Sequence, residues 1–183
     1  YIGNKKGTAM KNTWVISDTH FNHAAILTFK DYAGKPPREF DNVDQMNEAM
    51  FDNWNDVIKS TDTVYHLGDV LFGPDKVEWL ENNFAKLPGK KHLIMGNHDN
   101  PKFLAPFFKS MMLWKDISDK GLLLSHTPQH ASTLAETHRF GKDPILNVHG
   151  HIHSNPSPEG PYKCVCVEQT NFAPVNLEDL TNE

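Results

Sequence analysis

Five short apolar runs in this sequence each end beside side chains that bind metals or transfer protons. The first run covers residues 14–17, and Asp18 and His20 follow it directly. Such a run predicts a buried strand, and open α/β folds place their ligand sites beyond the carboxyl ends of strands. Alternate residues of an extended chain point to the same side, so the carboxylate and the imidazole are expected to point the same way. One oxygen and one nitrogen ligand at a strand end favour a metal site.

The four later runs repeat this arrangement. Strands are predicted at residues 63–67, 92–95, 121–125 and 145–149, and each ends beside further polar groups. Histidine is the commonest metal ligand, and eleven histidines in an acidic, non-repetitive chain favour a metal-binding protein. The five strand ends together offer these side chains: Asp18, His20, Asp69, Asn97, His98, His126, His151 and His153.

Length and composition restrict the class of protein. The chain has 183 residues, which suits one α/β domain with a sizeable core. Its hydrophobic fraction of 38% and charged fraction of 22% are typical of a folded globular protein. No apolar run is long enough to span a membrane. The formal net charge of −5 argues against a general nucleic-acid binder, which usually carries a basic patch.

The cysteines and the first residues predict the compartment and the domain limits. Cys164 and Cys166 are too few for a disulfide framework and too close for an ordinary bridge. They are predicted to be reduced thiols packed on one face of a strand at residues 162–167, in a cytoplasmic protein. Residues 1–9 show no periodicity and are predicted to be a tag or a disordered tail, which leaves a single domain at residues 10–183.

Several helices and loops separate the predicted strands. An apolar stripe predicts a helix at residues 44–59, and a second helix is predicted from about residue 75 to the Pro-Gly pair at 88–89. Further helical turns are predicted at residues 24–29, 102–108 and 177–180. A loop at residues 34–38 contains two prolines. A polar stretch at residues 129–143 is predicted to be a loop over the site, carrying His130, His138 and Arg139.

The order of these groups resembles the signature of the calcineurin-like metallophosphoesterase superfamily, in particular a small bacterial and phage-type branch. That signature reads Asp-x-His, Gly-Asp-x-x-Asp, Gly-Asn-His-Asp/Glu, a lone His after a strand, and Gly-His-x-His. The resemblance covers residues 14–180 and implies a four-layer α/β/β/α sandwich of two mixed sheets with metals at the strand ends. The matching residues are Asp18, His20, Gly68, Asp69, Gly96, Asn97, His98, Asp99, His126, Gly150, His151 and His153.

The resemblance implies two divalent metal ions that share the carboxylate of Asp69. A shared carboxylate brings two cations to about 3.5–4 Å, where they can clamp one phosphoryl group. A mixed oxygen and nitrogen ligand set suits Mn²⁺ first, with Fe, Zn²⁺ or Ni²⁺ as alternatives. Gly68, Gly96 and Gly150 are predicted to let the backbone turn sharply near the metals. The first metal takes Asp18, His20, Asp69 and His153, and the second takes Asp69, Asn97, His126 and His151.

In this family a hydroxide that bridges the metals attacks phosphorus, and the resemblance implies the same reaction here. His98 matches the catalytic histidine that donates a proton to the leaving group or steadies the transition state. The sequence departs from the family at Phe72, where many members have a second Asp that orients this histidine. Asp99 and Asp75 are candidate substitutes. The Arg-Gly pair of phosphoprotein phosphatases is also missing, which argues against that activity.

Two further side chains have open roles. Arg38 is a candidate for contact with a substrate anion or for support around the metal ligands, with a solvated loop cation as the alternative. His23 belongs to an Asp-x-His-Phe-x-His opening similar to that of the small branch, and it is expected to touch substrate, to support the ligands or to be structural. Three histidines inside strands are predicted to be structural: His66, His92 and His149.

The function predicted by the resemblance is hydrolysis of a phosphate ester, by preference a phosphodiester of a small nucleotide-like substrate. The alternatives are a phosphomonoesterase, a nuclease of the same family, a non-catalytic protein-binding module, and a protein with a single structural zinc. A nuclease is the weaker choice because the chain is acidic and because its length leaves no room for a separate nucleic-acid-binding domain. No membrane partner is expected, and the sequence does not predict an oligomeric state.

Overall fold

Two mixed β-sheets lie face to face in the computed structural model, which describes residues 11–73, 76–135 and 145–181. The first sheet consists of β1 (Thr13–Ile16), β2 (Thr63–His66), β3 (Lys90–Ile94), β4 (Ser110–Met112) and β9 (Val175–Asn176). Its strand order is β4-β3-β2-β1-β9, and only β9 is antiparallel to its neighbour. The carboxyl ends of β1, β2 and β3 therefore meet at one edge of this sheet.

The second sheet has the strand order β5-β6-β7-β8. Its strands are β5 (Trp114–Ile117), β6 (Leu122–Ser125), β7 (Leu146–His149) and β8 (Tyr162–Cys164). The strand β5 is antiparallel to β6, and the other pairs are parallel. A parallel bridge joins Ser17 to Cys166, so the chain beyond β1 runs beside the chain beyond β8. This bridge brings the two sheets together at the edge that carries the polar strand ends.

Apolar side chains fill the space on both faces of the first sheet. Between the sheets, Val15 and Ile94 pack in one cluster with Leu124 and Val148, and all four are fully buried. On the other face, Ile16 and Val64 belong to a second cluster that includes the helices. Burial of this much apolar surface is the main force that stabilises the layered arrangement.

The helices are α1 (Val43–Val57), α2 (Lys76–Asn82), α3 (Pro101–Leu104) and α4 (Ala131–Ala135). The helix α1 begins where predicted because the Asn42 side chain accepts a hydrogen bond of 2.9 Å from the Gln45 amide. Its stripe of Met46, Met50 and Trp54 is fully buried against the first sheet, as predicted. Two mixed sheets with helices give the predicted α/β sandwich.

The structure corrects several element limits. The helix predicted at residues 102–108 is α3 followed by a 3₁₀ turn at Ala105–Phe107, which contains Pro106. The strand predicted at residues 162–167 ends at Cys164, and a 3₁₀ turn follows at Val167–Gln169. Further 3₁₀ turns lie at Ala24–Thr28, Phe84–Lys86 and Asp179–Thr181. The strands β4, β5 and β9 were not predicted.

Some predictions fall on residues that the structure does not describe. The predicted tag or tail at residues 1–9 lies outside the described residues, as do Asp75, His138 and Arg139. His130 is described, and it lies exposed just before α4. In the described parts of the chain, no helix is both long and apolar enough to cross a membrane.

Candidate metal centre

The turns after the strands have an unusual backbone conformation. Asp18 has a φ of 56° and His20 a φ of 44°, which is the left-handed region that few residues other than glycine adopt. The expectation that these two lie on an extended strand end is therefore wrong, because β1 stops at Ile16. Left-handed residues of this kind cluster at functional sites. The predicted ligands that share this conformation are Asp18, His20, Asp69, His151 and His153.

A first group of predicted ligands consists of Asp18, His20 and His153. Nε2 of His20 lies 3.9 Å from Oδ1 of Asp18, and Nε2 of His153 lies 4.0 Å from that same oxygen. The imidazole rings of His20 and His153 stack with their centroids 5.2 Å apart. Ligand atoms from all three residues lie within 4.8 Å of one another, which is close enough to hold one ion.

A second group consists of Asp69, His126 and His151, with Asn97 beside it. Nδ1 of His126 donates to the Leu67 carbonyl over 2.7 Å, so Nε2 of a neutral ring has no proton. That nitrogen faces Oδ1 of Asn97 at 2.9 Å and Nδ1 of His151 at 3.2 Å. Several acceptor atoms that face one another in this way are what a cation site requires.

Asp69 lies between the two groups. Its Oδ2 atom is 3.6 Å from Nε2 of His20 and 3.5 Å from Nε2 of His126. Its Oδ1 atom accepts a hydrogen bond of 2.9 Å from the backbone amide of His98. One carboxylate oxygen is thus fixed by the backbone, and the other faces both groups of ligands.

Asp18 uses its two carboxylate oxygens differently. Oδ2 accepts hydrogen bonds from the Ser17 hydroxyl (2.5 Å), the His151 amide (2.8 Å) and the Cys166 thiol (3.3 Å). Oδ1 is buried and has no hydrogen-bond partner among the described residues. The sequence predicted only core packing for the cysteines. Both are buried, but Cys166 also orients the carboxylate of Asp18.

The buried polar atoms of the first group fit a metal ion. Both ring nitrogens of His20 are buried without a hydrogen-bond partner in the described parts of the chain. Burial raises the pKa of Asp18 and lowers the pKa of His20, because a low-dielectric site disfavours each charged form. A divalent cation bound between these atoms would supply the missing partner and favour the ionised carboxylate.

Glycines make room for the ligand carboxylates. A Cβ atom on Gly96 would collide with Oδ1 of Asp69, and one on Gly150 would collide with Oδ2 of Asp18. The prediction of sharp glycine turns holds for Gly68, whose φ is 100°. The other two glycines do not have a left-handed backbone, and they are needed for space instead.

Arg38 and Glu168 form a buried ion pair beside the first group of ligands, with Nη2 of Arg38 2.7 Å from Oε1 of Glu168. Arg38 is 1% exposed, so the interpretation as a solvated loop cation is wrong. Of the two remaining roles, contact with a substrate anion or support of the ligands, it makes the supporting contact, since it donates to the backbone carbonyls of Asp18 and Thr19. Sequence reasoning missed Glu168, whose signal is an acidic residue directly after a buried run.

The chain that carries these ligand groups matches a known protein family. The sequence model of the calcineurin-like phosphoesterase superfamily domain matches residues 12–167. The chain belongs to this superfamily. Its members are phosphoester hydrolases that typically bind divalent metals, and the two groups of ligands described above are the candidate sites.

Similar chains occur in archaea, bacteria and phages. An uncharacterized protein of Methanocaldococcus jannaschii is 32% identical over 93% of this chain and 89% of its own length. The gene 66 protein of Mycobacterium phage L5 is 29% identical over 79% of each chain. A solved structure of a protein of unknown function from Aquifex aeolicus is 28% identical, with a TM-score of 0.72 over 94% of this chain and 99% of that one.

The phosphoesterase signature is modified around His98, which is exposed at the rim of the ligand groups. Phe72, in the position of the family's second Asp, packs edge to face on the His98 ring with centroids 5.4 Å apart. On its other side Phe72 stacks on His23 at 4.3 Å. His23 in turn lies 5.6 Å from His20, ring to ring. An aromatic ring therefore packs against the histidine that a carboxylate orients in many relatives.

Asp99 does not replace the missing carboxylate. Its carboxylate accepts hydrogen bonds from three backbone amides, those of Asp69, Val70 and Gly96. Its role in this phosphoesterase is to hold the two turns that carry Asp69 and Asn97.

The histidines predicted to be structural have partners away from the ligand atoms. His66 is fully buried, and its ring lies 2.9 Å from the Thr19 hydroxyl. His92 contacts the Ser110 hydroxyl at 2.7 Å, and His149 contacts the Ser157 hydroxyl at 3.0 Å. These contacts agree with the structural roles predicted for all three.

Proposed function

We propose that the protein hydrolyses a phosphodiester of a small, nucleotide-like substrate, using two divalent metal ions. The observation that carries this proposal is the position of Asp69, whose Oδ2 atom lies within 3.6 Å of a histidine nitrogen from each ligand group. A carboxylate that faces two ligand groups at once suits a pair of neighbouring cations better than one structural ion.

The first ion would be held by Asp18, His20, Asp69 and His153, and the second by Asp69, Asn97, His126 and His151. Oxygen and nitrogen ligands suit Mn²⁺, with Fe, Zn²⁺ and Ni²⁺ as alternatives. When bound, the two cations supply a nucleophile from water near neutral pH and neutralise charge on the phosphoryl oxygens.

The protein's own acid is His98. Its backbone amide is fixed to Oδ1 of Asp69, so its side chain extends from the rim of the ligand groups. The exposed imidazole can reach the leaving oxygen of a bound ester and donate a proton to it. Phe72 restricts the movement of this ring by packing against it.

The choice of substrate rests on two features of the chain. Phe72, Gly73 and Pro74 stand where phosphoprotein phosphatases have Asp-Arg-Gly, and small relatives that lack this arginine often prefer diesters. The net charge of −5 disfavours a long polyanion, so a small nucleotide in the cytoplasm is the proposed substrate rather than a nucleic acid.

The test compares a chromogenic aryl phosphodiester with its monoester, in Mn²⁺ with and without a chelator. Asp69→Asn removes the shared charge, and Asp31→Asn, a carboxylate in an exposed turn, is the matched control. We expect turnover of the diester that requires metal and is lost only in Asp69→Asn, with folding checked by circular dichroism. Turnover of the monoester alone would indicate a phosphatase. Two bound metals without turnover of either ester or of a nucleotide panel would favour a binding module.

A further inference from the structure

Arg38 is an almost fully buried cation, with 1% of its surface exposed. It lies in the proline-containing loop after Lys35, where a solvated side chain would be ordinary. A buried charge is tolerated only when it is paired and its hydrogen-bond donors are satisfied. The partners of Arg38 therefore indicate what this residue stabilises.

The guanidinium group of Arg38 connects two distant segments. Nε and Nη2 contact Oε1 of Glu168 at 2.8 and 2.7 Å. Nη1 donates to the Thr19 carbonyl at 2.8 Å, and Nη2 donates to the Asp18 carbonyl at 2.5 Å. The left-handed turn that carries the first ligands is thus tied to the carboxylate of Glu168.

Glu168 in turn contacts a predicted metal ligand. Its Oε1 atom accepts a hydrogen bond of 2.8 Å from Nδ1 of His153. The same Oε1 atom contacts Nε and Nη2 of Arg38, and this buried pairing with a guanidinium group favours the ionised carboxylate. An ionised carboxylate at Nδ1 fixes the ring so that Nε2 faces Asp18, and it strengthens Nε2 as a metal ligand.

The two ligand groups differ in burial and in the number of their carboxylate ligands. In the first group Asp18 and His20 are buried, and the group contains a carboxylate of its own in addition to the shared Asp69. In the second group Asp69 and His126 are buried as well, but Asn97 and His151 are exposed, and among the described residues Asp69 is that group's only carboxylate. Charge and rigidity therefore favour cation binding at the first group.

We propose that Glu168, held by Arg38, is a positioning residue for His153 that makes the first group the higher-affinity metal position. This inference rests on the proposed function because it assumes that both groups bind metal. It predicts that the two positions load in sequence, with the first group filled at the lower metal concentration.

The test is a calorimetric titration of the metal-free protein with Mn²⁺, without substrate. We expect two resolved binding steps in the wild type. Glu168→Gln keeps the side-chain shape but loses the charge, and it should weaken the tighter step by roughly 10- to 100-fold. The dissociation constant of the weaker step should change by less than about 3-fold, because the contact that is removed lies outside the second ligand group. Glu178→Gln is the control, because Glu178 forms an exposed ion pair with Lys120 at 2.6 Å.

A second variant guards against misfolding. Arg38→Met combined with Glu168→Gln leaves no buried charge unpaired, and it should show the same selective weakening of the tighter step. Hydrolysis needs both ions, so the Mn²⁺ concentration for half-maximal activity follows the weaker step and should change by less than about 3-fold. Equal weakening of both steps, or no change in either variant, would overturn the proposal.

The titration also separates this inference from the proposed function. Two binding steps with the selective effect of Glu168→Gln, but no ester hydrolysis, would sink the enzymatic proposal and leave the positioning role intact. A single binding step in the wild type would overturn the ranking of the two positions, whatever the activity.

Discussion

The carboxylate of Asp99 accepts a hydrogen bond of 2.9 Å from the backbone amide of Asp69, thirty residues earlier in the chain. It also accepts the amides of Val70 at 3.0 Å and Gly96 at 2.8 Å. One side chain therefore fixes the turn after β2 against the turn after β3. Together with the hydrogen bond from the His98 amide to Oδ1 of Asp69, this carboxylate holds the ligands Asp69 and Asn97 in their relative position.

Asp99→Ala should destabilise the protein and loosen the second ligand group. The substitution leaves three backbone amides without their acceptor. Each of these amides that water does not reach lowers the free energy of unfolding by about 1–3 kcal/mol. We expect a total loss of about 2–4 kcal/mol, measured by urea unfolding, together with weaker metal binding. Asp31→Ala is the matched control, because Asp31 accepts two amides in an exposed turn. A loss as small as that of the control would contradict the role given to Asp99.

His98→Ala should retain both metal ions and lose most of the turnover. Among the described residues, no hydrogen bond joins a ring nitrogen of His98 to a predicted ligand. The ligand groups should therefore remain intact. Loss of a general acid typically costs about 10²–10⁴-fold in rate. The measurements are metal content by mass spectrometry and kcat on the diester, with His130→Ala as an exposed control. If the variant loses its metals, the assignment of His98 as the acid is wrong.

Phe72→Ala should reduce kcat less than His98→Ala does. The edge-to-face contact with His98 is worth about 0.5–1.5 kcal/mol, which corresponds to roughly 2- to 10-fold in rate. Metal content is expected to stay unchanged, because the Phe72 ring packs more closely on His23 and His98 than on the ligand His20, whose ring centroid is 6.4 Å away. Steady-state kinetics beside a metal assay measure both quantities. An unchanged kcat would show that the ring does not position His98.

His66 is held as a neutral imidazole. The Gly68 amide donates to its Nδ1 atom at 3.2 Å, so Nε2 carries the proton and donates to the Thr19 hydroxyl. The Thr19 hydroxyl in turn donates a hydrogen bond to the Val70 carbonyl at 2.8 Å. Burial, and then the charge of His126, lower the pKa of His66 to about 3 from its usual 6.5. Protonation of Nδ1 would place a second N–H against the Gly68 amide.

This shift predicts a pH dependence of stability in the metal-free protein. Below pH 6.5 the unfolded chain binds a proton at His66 that the folded protein does not bind. The contribution of His66 to the free energy of unfolding is therefore complete above pH 6.5 and is lost as the pH falls toward 3. The slope of the unfolding free energy in that window should be shallower in His66→Gln by about 1.4 kcal/mol per pH unit. Urea unfolding at several pH values measures it, with His130→Gln as the control. Identical slopes in His66→Gln and the wild type would refute the neutral assignment.

The sequence predicted which residues converge, but not how the backbone brings them together. Alternation along a strand was the reason for expecting Asp18 and His20 on one side, whereas both have left-handed φ values in a turn. Matching the family's motifs identified the same residues, because those motifs are defined by the residues that form the site in the folded protein. A turn conformation depends on hydrogen bonds from other segments, such as that from the Asp18 amide to the Gly68 carbonyl, which no local pattern reveals.

Long-range pairs explain most of what was missed. Arg38 is 130 residues from Glu168, and a loop cation is indistinguishable from a solvated one until its partner is known. The strands β4 and β5 have only three and four residues with mixed polarity, and β9 has two. By contrast, the apolar stripe of α1 is a local signal, and it predicted that helix to within one residue at its start and two residues at its C-terminal end.

The two carboxylate contacts of Asp18 with His151 and Cys166 span 133 and 148 residues of sequence. A ribosome adds about 5–20 residues per second, so Asp18 is made roughly 7–27 seconds before His151. During that interval the nascent chain exposes Asp18, His20 and Asp69 without the histidines that complete either ligand group. Neither ligand group is therefore complete until the turn after β7 has been synthesised.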